Sequence, residues 1–139
     1  FKIDAKNVLS DAIDADFSSL NFNNINVKNA GNDCVDLSSG DYKIDLANLT
    51  ECKDKAISAG EKSKLTINTV KISNSNLGLA AKDSSIIKVN SVVTNSTSTC
   101  LSAYNKKQEF WGGKILVKQH NCDPNQVFQE KNSLVEFIK

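Results

Sequence analysis

Asp11 and Asp33 lie 22 positions apart, as do Asp14 and Asp36, and Asp16 follows two residues after Asp14. Residues i and i+2 of an extended strand project to one side, so Asp14 and Asp16 share a face. If the chain repeats every 22 residues, Asp36 joins them there. Two carboxylates about 5–9 Å apart can cleave a glycosidic bond, one as acid and the other as nucleophile or base. That chemistry makes Asp14, Asp16 and Asp36 the catalytic candidates. Stacked carboxylates can instead gather oxygen ligands around calcium, with Asp11, Asp14, Asp33 and Asp36 as the metal-ligating candidates; no other cofactor is indicated. The plainest reading is a solvated sheet face on which the aspartates stay hydrated and apart, and it is the leading expectation.

The same spacing extends the pattern. Beyond Asp14 and Asp36 the outward column reads Ser58, Ala80, Ser102, and beyond Asp16 it reads Ser38, Gly60, Lys82, Tyr104. Lys82, Tyr104 and Trp111 are therefore candidates for a sugar-binding edge with aromatic stacking platforms. Phe110-Trp111-Gly112-Gly113 can equally be a bulge whose aromatics fill the end of the core. Glu61 and Asp83, with Lys62, Lys82, Lys106 and Lys107 nearby, read as a screened surface cluster of little energetic weight. The single histidine, His120, has no visible partner and reads as a surface turn. Cys100 and Cys122, 22 apart, are the disulfide candidates. Cys34 and Cys52 are disfavoured because their repeat positions differ by four. No cysteine pair has the short spacing of a zinc or redox motif.

The elements that must carry these residues are short strands. Ile13, Val35, Ile57, Leu79 and Leu101 recur at steps of 22, and Ala15, Leu37, Ala59, Ala81 and Ala103 follow two places behind them. Apolar and polar residues alternate around each, the period of a strand. A second β-like run follows each first one, beginning near Leu20, Ile44, Leu65, Ile87 and Lys114. Helical repeats need longer units, whereas 22 residues with polar turns fit one coil of a parallel β-helix whose coils stack at ~4.8 Å. The expected fold is thus all-β, a single-stranded parallel β-helix (solenoid) of about six coils. Asn26 and Asn48, and Asn68 and Asn90, are each 22 apart and can stack as amide ladders. Asn and Gly tolerate the left-handed backbone that tight corners require.

At 139 residues the chain suits one domain, with 1–9 as a further coil and 119–139 as a closing coil or cap. Seventeen basic residues, all lysine, face 16 acids for a net charge of +1, which gives no reason to expect a polyanion and moves nucleic acid down among the candidates, so no nucleic-acid partner is expected. No apolar run approaches the ~18 residues of a membrane span. Phe1-Lys2-Ile3-Asp4 is no signal peptide, and the missing initiator methionine suggests a fragment cut from a longer protein.

Three phrases, Gly31-Asn32-Asp33-Cys34-Val35-Asp36-Leu37-Ser38-Ser39-Gly40, 54–63 and Gly78-Leu79-Ala80-Ala81-Lys82-Asp83-Ser84-Ser85, resemble right-handed parallel β-helix repeats of the pectin-lyase-like superfamily. The resemblance spans roughly residues 10–118. The stretch 103–110 is similar to β-helical regions of bacterial surface proteins, some accompanying spore-coat-kinase-like domains. That superfamily includes polysaccharide lyases, hydrolases, tailspikes and adhesins, so fold does not settle function. The arginine base of pectate lyases has no counterpart here, and neither does the Gly-His-Gly signature of polygalacturonase-like hydrolases. The expectation is a non-catalytic structural or glycan-binding module of a bacterial or phage surface protein, extracellular or at the cell surface. Its partners would be polysaccharide or neighbouring domains of the parent protein, with end-to-end self-association as a further option. The alternative is a polysaccharide lyase or hydrolase acting along the outer face of the first sheet.

Overall fold

The computed structural model describes residues 1–139. Its strands are β1 (Lys2–Val8), β2 (Ile13–Asp16), β3 (Ser19–Ala30), β4 (Val35–Ser38), β5 (Asp41–Cys52), β6 (Lys55–Gly60) and β7 (Lys64–Ser73). They continue as β8 (Leu77–Lys82), β9 (Ile86–Asn95), β10 (Thr99–Tyr104), β11 (Lys114–His120), β12 (Val127–Gln129) and β13 (Leu134–Phe137). Odd-numbered strands form one seven-stranded sheet and even-numbered strands a six-stranded one, each strand pairing with the strand two along in sequence. Every pairing is parallel. The result is a β-solenoid of about six coils. No helix is long and apolar enough to cross a membrane.

The aliphatic column lines up as its spacing predicts. Ile13 pairs with Val35, Val35 with Ile57, Ile57 with Leu79 and Leu79 with Leu101, and the last four are fully buried. In the long strands the buried residues step differently: Tyr42, Ile44, then Ala47 and Leu49, and again Leu65, Ile67, then Val70 and Ile72. A step of three inside a period of two turns two consecutive side chains outward, so β5 and β7 bend at that point and wrap the core on two sides. Ile44 pairs with Ile67, one residue beyond the 22-residue step, and the shift persists along that strand pair.

Two corners per coil adopt left-handed backbone, also in columns. One column comprises Phe17, Ser39, Glu61 and Asp83, and the other Asn7, Asn29, Glu51, Asn74 and Ser96. No glycine has a positive φ, contrary to the expectation that glycines would share these corners. Asparagine ladders support the strands beside them. Asn48 donates to Asn26 at 3.1 Å, Asn90 to Asn68 at 3.2 Å and Asn29 to Asn7 at 2.9 Å.

Both disulfides span neighbouring coils. Cys100–Cys122 forms as expected, with Cα atoms 5.8 Å apart, but not because the two stack. Strand β11 pairs with β9 at an offset of 28 (His120 with Val92), so 22 residues is less than one coil here. Cys34–Cys52 also forms, with Cα atoms 5.3 Å apart, which corrects the expectation against it. Cys52 stacks on Ala30, and Ala30 and Cys34 flank one corner. A difference of four repeat positions across a corner is therefore a short distance through the interior.

Candidate functional site

The acidic corner at the start of the short sheet is largely structural. Asp11 Oδ1 accepts from the Asp33 backbone N–H and from Asn32 Nδ2, each at 2.9 Å. One coil on, Asp33 Oδ1 accepts from the Lys55 N–H at 3.0 Å. Each aspartate thus ties down the backbone of the coil after it. Burial pushes the Asp33 carboxyl up to about 6, against the opposing backbone N–H and charge of Lys55. Ligand-capable atoms of Asp11, Asp14 and Asp36 lie within 4.8 Å of one another, without Asp33. Asp16 stands apart from that trio and accepts from the Ser38 hydroxyl at 2.9 Å.

Asp14 pairs with Asp36, which neighbours Ser58 in the register. Burial raises the Asp36 carboxyl above its ordinary value; Lys82 opposes the rise, and Asp11 and Asp14 add to it. The Lys82 side chain lies across Gly60, where an added Cβ would come within 3.0 Å of its Cε. Outward is not the same as exposed on this sheet. Ser58, Ala80 and Ser102 are buried, while Lys55, Lys82 and Tyr104 on the same strands are half-buried. A small cavity, about 140 Å³, borders Asp36.

A different region is open. The six residues by which the β9–β11 offset exceeds 22 fall in the connection after Tyr104, which folds back over the preceding coils. Asp83, expected in a surface cluster, is instead buried and anchors this loop. Its Oδ1 accepts from the backbone N–H groups of Lys106 and Lys107 at 2.7 and 2.8 Å and from Asn105 Nδ2 at 3.3 Å. The two N–H groups of the same Asn105 amide are shared between Asp83 and the carbonyls of Lys107, Phe110 and Trp111, all three within 3.0 Å. Lys107 pairs with Glu61, two coils back. Ser84 and Trp111 exchange two 2.8 Å hydrogen bonds.

So many internal bonds fix the backbone while its aromatics face outward. Trp111 is 75% exposed and Phe17, across the corner, 80%. Neither Phe110 nor Trp111 fills the core, contrary to that alternative. Phe17 and Phe110 line one cavity of about 620 Å³ with Asp41, Glu61, Lys62 and Lys64, and Lys62 Nζ lies 6.0 Å from the Phe110 ring centre. On the loop's other flank, Trp111, Asn105, Glu130 and Asn132 line a cavity of about 270 Å³.

No protein-family model, curated protein or solved structure matches the chain.

Of the expected ligand-binding residues, Lys82 and Tyr104 are paired neighbours on the short sheet. Trp111 belongs to the loop cavity instead, so the three do not form one site. Burial raises the Tyr104 hydroxyl, with the Lys55 charge opposing. Sequence reading missed Phe17 and the anchoring role of Asp83. Their signal was available: Phe17, Ser39, Glu61, Asp83 and Asn105 form a column at steps of 22, in which a phenylalanine has no core to enter.

Proposed function

We propose that the chain is a non-catalytic β-solenoid module, related to the pectin-lyase-like superfamily, that presents the 105–113 loop as a glycan-binding platform. The observation that carries this reading is the coexistence in one loop of dense internal hydrogen bonding and a 75% exposed tryptophan. A rigid aromatic beside amides and carboxylates suits a sugar, which offers an apolar face and a rim of hydroxyls. Loops on a rigid scaffold are where binding residues concentrate. Two disulfides support an extracellular or cell-surface setting. Unpaired edges on β1, β2, β12 and β13 support neighbouring domains, or further copies, as partners at the ends.

A glycan array followed by titration of the best ligand tests the proposal. Trp111→Ala should weaken binding by at least about tenfold, the loss of roughly 1.4 kcal/mol, with melting unchanged. Equal affinity of the variant, or no neutral glycan bound by the parent chain, would overturn it.

The proximity of Asp14 and Asp36 favours a second reading, a glycan-cleaving enzyme of the two-carboxylate type. Reducing-end release that disappears in Asp36→Asn would establish it.

A further inference from the structure

The net charge of +1 conceals a segregation that only the fold reveals. The seven strands of the odd-numbered sheet carry nine lysines against five carboxylates, whereas the six of the even-numbered sheet carry two lysines against three aspartates. On the face that β5, β7, β9 and β11 build around the Lys43 column stand Lys43, Lys64, Lys88, Lys114 and Lys118, opposed by Asp41 and Asp45 and, at the β13 end, by Glu136. None of these lysines is in an ion pair; the three that exist engage Lys55 and Lys107.

We propose that this face is a binding track for a linear anionic polysaccharide running along the solenoid axis. Two shallow cavities of about 640 and 610 Å³ adjoin there and share Asn21, Lys43, Thr66 and Lys88. Those four residues lie in one register column. Lys43 and Lys88, two coils apart, offer charges ~10 Å apart at the stacking distance of strands. Beside them Asn90 donates to Asn68 and Asn68 to Asp45, at 3.2 and 3.1 Å. These bonds hold the amides in a fixed row suited to hydroxyl groups. A basic track repeating along the axis matches a polymer whose charge repeats along its chain, and ammonium groups act as point charges toward carboxylate or sulfate.

The chemistry favours a polysaccharide over a single-stranded nucleic acid, which needs stacking platforms. The aromatics of this face, Phe22 and Tyr42, point into the core, with 2% and 1% exposure. The track rests on the reading of the chain as a glycan-binding module; Lys64 and Asp41 also border the Phe110 cavity, but Lys43, Lys88 and Lys118 do not.

The test titrates the full chain with alginate, dextran sulfate, neutral dextran and oligothymidylate. Carboxylate or sulfate polymers should bind, with affinity falling about tenfold or more between 50 and 200 mM salt. The alginate and dextran sulfate arms separate the two anion types. Lys43→Gln/Lys88→Gln/Lys118→Gln should lose at least about tenfold. Lys28→Gln/Lys71→Gln/Lys131→Gln, equal in charge change but outside the groove, should lose far less. An equal loss in both triple variants, oligothymidylate bound as tightly as the polysaccharides, or no polyanion bound would overturn the track. Trp111→Ala should leave polyanion binding intact, so failure of the loop platform and failure of the track are read separately.

Discussion

Two stretches of the solenoid use their residues differently. From β1 to β10 each coil advances by 22 or 23 residues, so inward side chains, left-handed corners and asparagine ladders fall into columns. The coil that β11 completes advances by 28. Its extra residues serve no stacking role, and they present the exposed tryptophan. In a repeat architecture the period fixes which side chains stack and point inward, leaving recognition to outward side chains of the regular coils and to residues added beyond the period.

The sharpest break of that contrast is a charge in the regular part. Leu79→Asp places a carboxylate in a fully buried column and should cost more than about 5 kcal/mol, abolishing the cooperative melt seen by circular dichroism. Cys34→Ser opens the 18-residue link between two regular coils and should cost about 3 kcal/mol, read as a melting point lower by on the order of 10 °C.

Asp33→Asn should act with the opposite sign at neutral pH. Because burial raises Asp33 from 3.8 to about 6, the folded chain holds this proton more tightly than the unfolded chain. The resulting stability is full below pH 3.8 and is lost as pH rises through about 6. At pH 7 the ionised group is therefore a burden of up to roughly 3 kcal/mol. The asparagine variant keeps the acceptor for Lys55, so its melting point should gain on the parent's between pH 4 and 7. Equal slopes in both proteins would refute this.

Asp83→Ala removes three charge-assisted bonds from the irregular loop and should cost about 2 kcal/mol, with glycan affinity falling alongside. Trp111→Ala, the smallest change in stability, should lie within about 0.5 kcal/mol of the parent. A large loss there would mean that the loop is scaffold after all, and the contrast would fail.

What the sequence made legible follows this division. The columns from Ile13 to Leu101 announce themselves, because stacking forces one residue type onto one position. Corners were harder. Cys34 and Cys52 touch through the interior, and their proximity depends on the bend between two sheets, which no spacing along a single column encodes. Cys100 and Cys122 show the converse: the pairing was right while its basis was not, since the insertion after Tyr104 breaks the 22-residue step. Exposure was also misjudged at Ser58, Ala80 and Ser102, where alternation gives the direction of a small side chain but not what covers it. The basic face stayed hidden in a total of +1, which sums over surfaces that the fold keeps apart.

The placement of the two cross-links has a mechanical corollary. A stack of coils held mainly by lateral hydrogen bonds unpeels from its tips when the tips are pulled. Here one covalent tie, Cys34–Cys52, joins the coils of β3 and β5, and the other, Cys100–Cys122, joins the coil of β10 to the end of β11. Under tension, unravelling that reaches either tie passes across a bond that backbone force alone does not open. Each tie also withholds its own loop from the extended tether, 18 residues at one end and 22 at the other. A reductant would return that slack, so the rod's resistance to stretching is set by its chemical surroundings as well as by its sequence.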